Sequence, residues 1–381
     1  MGSSKAQDVE AAILPAASAV HVLVKTWSST LDASKIGASK YNMRRRKPKY
    51  RMFKFLFRVV VILVIVAAAL LAYGLYLPAG PTQERFVQLK PGSSARRIAA
   101  DLHTAGIIRS QYAFLFWHYV QGHKNLKAGE YSFDHPAKVR EVYDRIARGD
   151  IYVHLLVVPE GFNMFDIAAA IEDAGLGTRD DFLQVVRKDA SLVQDLDPQA
   201  PNLEGYLFPD TYRFTRTQSL HDMAAAMVHR FRQAAKAAGL DEDFHTKVTM
   251  ASIIEKETAV DAERAEVASV FNNRLSRHMA LATDPTVIYA ALLNDRYRGT
   301  IYRSDLNFDS PYNTYKYPGL PPGPICNPGK ASLQAALYPA RTRYLYFVSD
   351  NHGRHNFSST PAEHAKNVAA YRKAVAQAIN R

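Results

Sequence analysis

In the segment VTMASIIEKETAVDAERAEVASVFNNRL, Met250, Ile253, Ile254 and Glu257 stand at i, i+3, i+4 and i+7, the spacing of one helix face. A carboxyl group kept among apolar side chains resists ionisation, and its pKa rises toward the range in which it can donate a proton. Glu257 therefore has the setting of a general acid, whereas Glu255 points to another face. The same spacing also suits a helix-terminal Glu that is solvated or paired with an Arg such as Arg264. Asp284 directly precedes Pro285 and reads as a helix N-cap, with catalysis as its other role. The run SPYNTYKYPGLPPGPICNPG is rich in Tyr, Pro and Gly; it cannot form a regular helix or a central strand and is expected to be a stiff surface loop. Its Tyr312, Asn313, Thr314 and Tyr315 offer aromatic faces beside amide and hydroxyl groups, which suits carbohydrate binding, while a purely structural loop has the same composition. His352, His355 and His364 gather near the C-terminus without an acidic or cysteine partner at a familiar metal-ligand spacing. Hydrogen bonding in a loop is expected of them, and neither a metal nor any other cofactor is expected.

The Glu257 segment reads as two helices around a turn near Thr258 to Asp261. The surrounding chain is mixed. A strand at IYVHLLVVPEG is followed by helices at FDIAAAIEDAGL, RDDFLQVVRK and LHDMAAAMVHRFRQAAKAAG, then by a strand at RYLYFVSD and a closing helix at AEHAKNVAAYRKAVAQAI. The expected class is α+β with segregated helices, not a doubly wound sheet. No GxGxxG, P-loop, HExxH or GxSxG occurs, so nucleotide chemistry, zinc proteolysis and elbow-type serine hydrolysis lose their strongest signatures.

Between Phe86 and Asp134, FVQLK is strand-like. PGSSARRIAADLHTAGII and SQYAFLFWHYVQG are helices with Ser at their starts, and LKAGEYSF is a returning strand. This β-α-α-β order resembles the LysM fold, which binds glycans containing N-acetylglucosamine; a spacer module without sugar affinity fits the residues equally. VREVYDRIARGD is a connecting amphipathic helix.

The chain has 381 residues, 48% apolar and 22% charged, enough to bury a sizeable core. Its net charge of +12 is unevenly placed: residues 1–58 hold 12 Lys and Arg against 3 Asp and Glu, leaving 36 against 33 for the rest. A nucleic-acid footprint on the folded part is therefore disfavoured. The single cysteine, Cys326, rules out an intrachain disulfide framework and a cysteine-based zinc site. From Val59 to Pro78 the chain runs 20 residues without charge, about the length that spans a bilayer core. The basic flank at residues 44–58, with eight basic side chains and no acid, is expected to stay cytoplasmic. That places residues 1–54 inside as a basic, disordered tail, an anchor at 55–78, and the remainder on the periplasmic side of the inner membrane. Met43, which opens the basic run, is an alternative natural start.

LEGYLFPDTY (203–212), MASIIEKETAV (250–260), VASVFNNRL (267–275), LATDPTVIYA (281–290), YNTY and GLPPGPI (within 312–325), NPG (327–329), YLYFV (344–348) and the HNF/EH pattern ending at His364 together resemble the MltG (YceG-like) family of endolytic murein transglycosylases. The resemblance covers Phe86 to the C-terminus and the anchor before it. It implies a LysM-like module with its connecting helix at 84–150 and a mixed catalytic domain at 151–381. It also implies that the second Glu of the EKET motif, Glu257, is the catalytic acid that cleaves the bond between N-acetylmuramic acid and N-acetylglucosamine in nascent strands, giving 1,6-anhydro ends and terminating polymerisation. Peptidoglycan strands, the membrane and peptidoglycan synthases are the implied partners, and nucleic acid is not among them. Two further readings stay open: a non-catalytic peptidoglycan-binding scaffold, and a hydrolase using Asp284 or Glu204 as a second carboxylate.

Overall fold

The computed structural model describes residues 48–379. The expectations for the tail before residue 48, the start at Met43 included, lie outside the described residues. Helix α1 (Pro48–Tyr76) begins within the basic flank, earlier than the expected bound of 55. It stops before Leu77, whose helical conformation the following Pro78 disfavours. Its segment Tyr50–Tyr76 spans 27 residues and is long and apolar enough to cross a membrane. At helical rise this is about 40 Å, against about 30 Å of hydrocarbon core.

The chain divides after Ala68 into two compact units. In the second unit, strand β1 (Arg85–Leu89), helices α2 (Ala95–Thr104) and α3 (Gln111–Val120), strand β2 (Gly129–Phe133) and helix α4 (Val139–Arg148) follow in order. Both expected serine caps form: the Ser94 hydroxyl accepts from Arg97 N at 3.3 Å and the Ser110 hydroxyl from Ala113 N at 3.3 Å. Each offsets a helix-terminal N–H that has no partner within the helix. Strands β1 and β2 pair antiparallel, with Arg85 opposite Phe133 and Leu89 opposite Gly129. Their inward residues Val87, Leu89, Tyr131 and Phe133 share one core with Ile98, Leu102, Phe114, Val142, Tyr143 and Ile146. Helix α4 is thus a full member of this core as well as a connector.

The junction to the rest is centred on a buried carboxylate. Glu130, 2% exposed, accepts from Arg216 Nη1 at 2.6 Å and lies 2.7 Å from His154 Nε2. Arg216 Nε also donates to the Gly175 carbonyl at 3.0 Å.

From there the elements are β3 (His154–Val157), α5 (Met164–Asp173), α6 (Arg179–Lys188), β4 (Thr211–Phe214), α7 (Leu220–Ala238), α8 (Phe244–Glu257), α9 (Asp261–Ser276), α10 (Asp284–Leu293), α11 (Lys330–Leu337), β5 (Tyr346–Ser349), β6 (His355–Ser358) and α12 (Pro361–Ile379). The class is α+β, and its strands pair antiparallel in sequence order: β3 with β4 and β5 with β6. They form two-stranded ribbons rather than one sheet with helices set to a side. Helix α8 is the centre of the packing and lies against α9, α10 and α11. Phe244, Val248, Thr249, Met250, Ala251, Ser252, Ile253 and Ile254 are all buried, so the middle of the helix is enclosed, and its first turn after Phe244 and its last turn approach the surface.

Candidate active site

Glu257 is the last residue of α8, and Thr258–Val260 turn the chain into α9, as the spacing predicts. Its carboxylate accepts a hydrogen bond from the Thr283 hydroxyl. Thr283 is held in turn by its own backbone N–H, which donates to Thr314 Oγ1 at 3.2 Å, and Thr314 Oγ1 lies 2.9 Å from Thr286 Oγ1. Two buried threonines, Thr314 and behind it Thr286, thus hold the donor that faces Glu257. Burial pushes the Glu257 carboxyl above its ordinary range. The hydroxyl of Thr283 opposes this shift, the nearby Asp284 adds to it, and the positive potential from His355 and Arg274 opposes it again. A carboxyl that keeps its proton to a raised pH, with part of its surface still accessible, is equipped for general acid catalysis.

Arg264 does not pair with Glu257. Its Nη2 lies 3.2 Å from Glu255 Oε1, and the two side chains are 5% and 6% exposed. The other Glu255 oxygen accepts from Gly329 N at 2.9 Å. Glu255 therefore points away from Glu257, as the helical spacing requires, into a buried ion pair that ties α8 to α9 and to the start of α11.

Asp284 is not the N-cap of α10. Thr283 occupies that place in extended conformation, and Asp284 is the first helical residue with Pro285 behind it. Its Oδ1 instead accepts from the Tyr315 hydroxyl at 2.6 Å. The four candidate sugar contacts separate by burial. Asn313 is fully buried and its Nδ2 donates to the carbonyls of Leu306 and Phe308 at 3.0 and 2.8 Å, so it braces the loop. Thr314 belongs to the threonine cluster behind Glu257. Tyr312 is buried with its ring 5.1 Å from that of Tyr289. Tyr315 alone of the four is exposed, at 39%. Asn313 and Thr314 are thus enclosed within the loop, and Tyr315 is the one that faces solvent.

The histidines do separate work. His355 Nδ1 lies 2.8 Å from Glu263 Oε2, His364 stacks on Tyr346 with ring centroids 5.0 Å apart, and His352 N donates to Asp350. Arg274 lies over the same Tyr346 ring at 5.4 Å and donates to the carbonyls of Leu345 and Leu281, each at 2.7 Å. It thereby joins β5 to the approach of α10. Sequence reasoning passed over Thr283 and Arg274. Their only local signals are a hydroxyl before Asp-Pro and a basic residue at the end of a helical repeat.

Glu204 is enclosed elsewhere. At 1% exposure it accepts from Met164 N at 3.1 and 2.9 Å and from Asn327 Nδ2 at 2.9 Å, so it pins the start of α5 to the NPG loop. The adjoining Gly205 has φ +89°, and a Cβ there would stand 2.5 Å from Pro324 Cγ; the turn therefore needs glycine. A carboxylate sealed in this way is no general base for a glycan. Burial pushes its pKa from 4.5 up to about 8. The folded state then binds the proton more tightly than the unfolded chain, so its stabilisation is full below pH 4.5 and is lost as the pH rises through about 8. Thermal unfolding followed across that range is expected to show stability falling by up to about 1.4 kcal/mol per pH unit from this one group. Glu204→Gln is expected to flatten the dependence, and an unchanged slope in that variant would contradict the assignment.

The YceG-like family model matches residues 87–370. An endolytic murein transglycosylase of Bacillus subtilis is 35% identical over 308 residues, which cover 75% of this chain and 84% of the relative. One of Streptococcus pneumoniae is 29% identical over 361 residues, covering 82% of this chain and 65% of the relative. A crystal structure of a yceG-like protein from Listeria monocytogenes is 34% identical and covers 75% of this chain and 99% of its own, with a TM-score of 0.49. The matched span holds Glu257, Thr283, Asp284, Tyr315 and Arg274 together with nearly all of the six strands, and with this the chain belongs to the YceG-like family.

Proposed function

We infer that this protein is a membrane-anchored lytic transglycosylase that cuts peptidoglycan strands internally, using Glu257 as its one catalytic carboxyl group. The observation that carries the reading is the half-recessed Glu257, raised in pKa by burial and oriented by the Thr283 hydroxyl. The relatives named endolytic murein transglycosylase supply the enzyme class and the substrate. The bond cut is the β-1,4 link from N-acetylmuramic acid to N-acetylglucosamine. Glu257 protonates the bridging oxygen as positive charge develops at the muramoyl C1, and the N-acetylglucosamine side leaves as an alcohol. The resulting carboxylate takes the proton from the muramoyl C6 hydroxyl as that oxygen bonds to C1. The product is a 1,6-anhydro ring, and Glu257 returns to its protonated form without consuming water. Tyr315, exposed and tied to Asp284, is the residue of its loop proposed to meet the sugar.

One observation favours a second reading. Asp284 is near enough to raise the Glu257 pKa, and hydrolysis with two carboxylates needs such a neighbour. Purified full-length protein incubated with uncrosslinked glycan strands is expected to release internal fragments. Binding without turnover would leave only a peptidoglycan-binding scaffold.

The anchor is proposed to lie with its basic flank in the cytoplasm and the matched region outside. A reporter fused after Arg381 is then expected to be active only outside the cytoplasm; activity inside would overturn the orientation and the substrate together. Held near the membrane, the enzyme meets strands as they emerge from synthases, and its cuts set their length. Deleting it in cells without redundant enzymes is expected to lengthen the strands, and unchanged strand length would count against a terminating role. The module at 84–150 is proposed to be LysM-like on its β-α-α-β order.

A further inference from the structure

Helix α3 carries an apolar stripe that nothing in its own module covers. Tyr112, Phe116, Tyr119 and Val120 are 72%, 43%, 70% and 54% exposed, although the opposite side of the same helix buries Phe114 in the module core. At about 100° per residue, the four lie within about 120° of Ala113, all to one side of it. Ala113 itself faces the end of the anchor helix: a Cβ on Gly74 would stand 2.9 Å from Ala113 Cβ and 3.1 Å from Ser110 Cβ. The contact is reinforced by Arg109, which donates to the Tyr73 hydroxyl at 3.3 Å and to the Pro78 carbonyl at 3.0 Å. Leu71 and Leu75 pack on the module core as well.

Residues 71–78 are the end of the uncharged apolar segment, so whatever packs on them lies where the hydrocarbon gives way to headgroups. The stripe continues that surface sideways. Its composition suits the place, because tyrosine and phenylalanine rings collect at the membrane interface with apolar bodies inward and polar tips toward water. The charge suits it too: from Leu102 to Gly129 there is no Asp or Glu, while Arg109, Lys124 and Lys127 are basic, and basic groups favour anionic lipid.

We propose that the exposed face of α3 lies in the headgroup and upper acyl region of the membrane leaflet, so that the protein holds the bilayer by its anchor and by this helix together. Partial immersion of an amphipathic helix parallel to the surface reaches about 5–10 Å into that boundary. Through the buried Glu130 junction, the stripe would fix the height of the Glu257 site above the membrane as well as tether it. The proposal rests on α1 being a membrane anchor.

The test uses the full chain with Trp27→Phe and Trp117→Phe, so that a single tryptophan introduced as Tyr119→Trp or Tyr112→Trp reports alone. The protein is reconstituted in vesicles of phosphatidylethanolamine and phosphatidylglycerol, with or without acyl chains brominated near the carbonyl end. Tyr338→Trp, at a position 66% exposed on the far part of the chain, is the reference. Both stripe probes are expected to be quenched by bromolipid several-fold more than the reference and to be shielded from aqueous acrylamide. Quenching equal to the reference in protein that floats with the vesicles overturns the proposal while leaving the anchor intact. Energy transfer between copies without lipid quenching overturns it in favour of a second copy as the occupant. Failure to float removes the anchor reading and the proposal with it.

Discussion

Glu257→Gln is expected to lower glycan cleavage by about 10²- to 10⁴-fold, the usual worth of a placed proton donor, while strand binding and the fold persist. The amide keeps the shape of the side chain, and its oxygen can still accept from Thr283, but it has no proton to transfer. Because the native carboxyl is raised in pKa chiefly by burial, its replacement by a neutral group also removes a desolvation cost, so urea stability is expected to stay level or rise. The acid must be protonated to act, so wild-type cleavage is expected to decline as the pH climbs through the raised Glu257 value. Rates within a few-fold of wild type for Glu257→Gln, with circular dichroism unchanged, would remove Glu257 from the mechanism.

The second large effect concerns stability and the residue two positions earlier. Glu255 and Arg264 form an ion pair with both side chains almost fully enclosed. Removing Arg264 strands the buried Glu255 carboxylate, a change that typically costs about 3–5 kcal/mol, whereas removing Glu255 leaves Arg264 beside Asp261 and Glu160 but without its enclosed partner. Arg264→Met and Glu255→Gln are each expected to lower the urea midpoint strongly, and the double variant to recover much of the loss because neither charge is then left alone. Activity per folded molecule separates the two glutamates: it should survive in Glu255→Gln under conditions that keep it folded and collapse in Glu257→Gln. Additive losses in the double variant would show that the pair is not coupled.

The sequence was most informative where short-range physics decides. Ser94 and Ser110 announce helices that their hydroxyls then cap, and the break at Thr258–Val260 places Glu257 at the end of α8. The strands β4 and β6 were not legible. Each is four residues long, too short for its alternation to stand out from the loop residues around it. Burial around α8 also hid part of the site. Glu255 lies on the enclosed side of α8 and went into an ion pair instead of toward water, while the adjacent Lys256 is exposed. Asn313 and Thr314 look like ligand-binding residues in a polar loop, yet a Pro-rich loop without regular backbone pairing needs internal donors and acceptors of its own, and these two supply them. Thr283 escaped notice because its role depends on meeting Glu257 across 26 positions of chain. The resemblance of the motifs to the YceG-like family reached the family and the proposed catalytic glutamate, but not the threonine cluster behind it.

The central claim is that one carboxyl group acts first as acid and then as base, with the substrate's own C6 hydroxyl as nucleophile. The most direct measurement is the mass of the new ends made from uncrosslinked glycan strands by the purified full-length protein. Ends lighter by one water than the reducing sugar, appearing from the first turnovers and absent with Glu257→Gln, are predicted. Reducing ends that carry the full water would contradict the claim and direct attention to Asp284 as the base of a hydrolase.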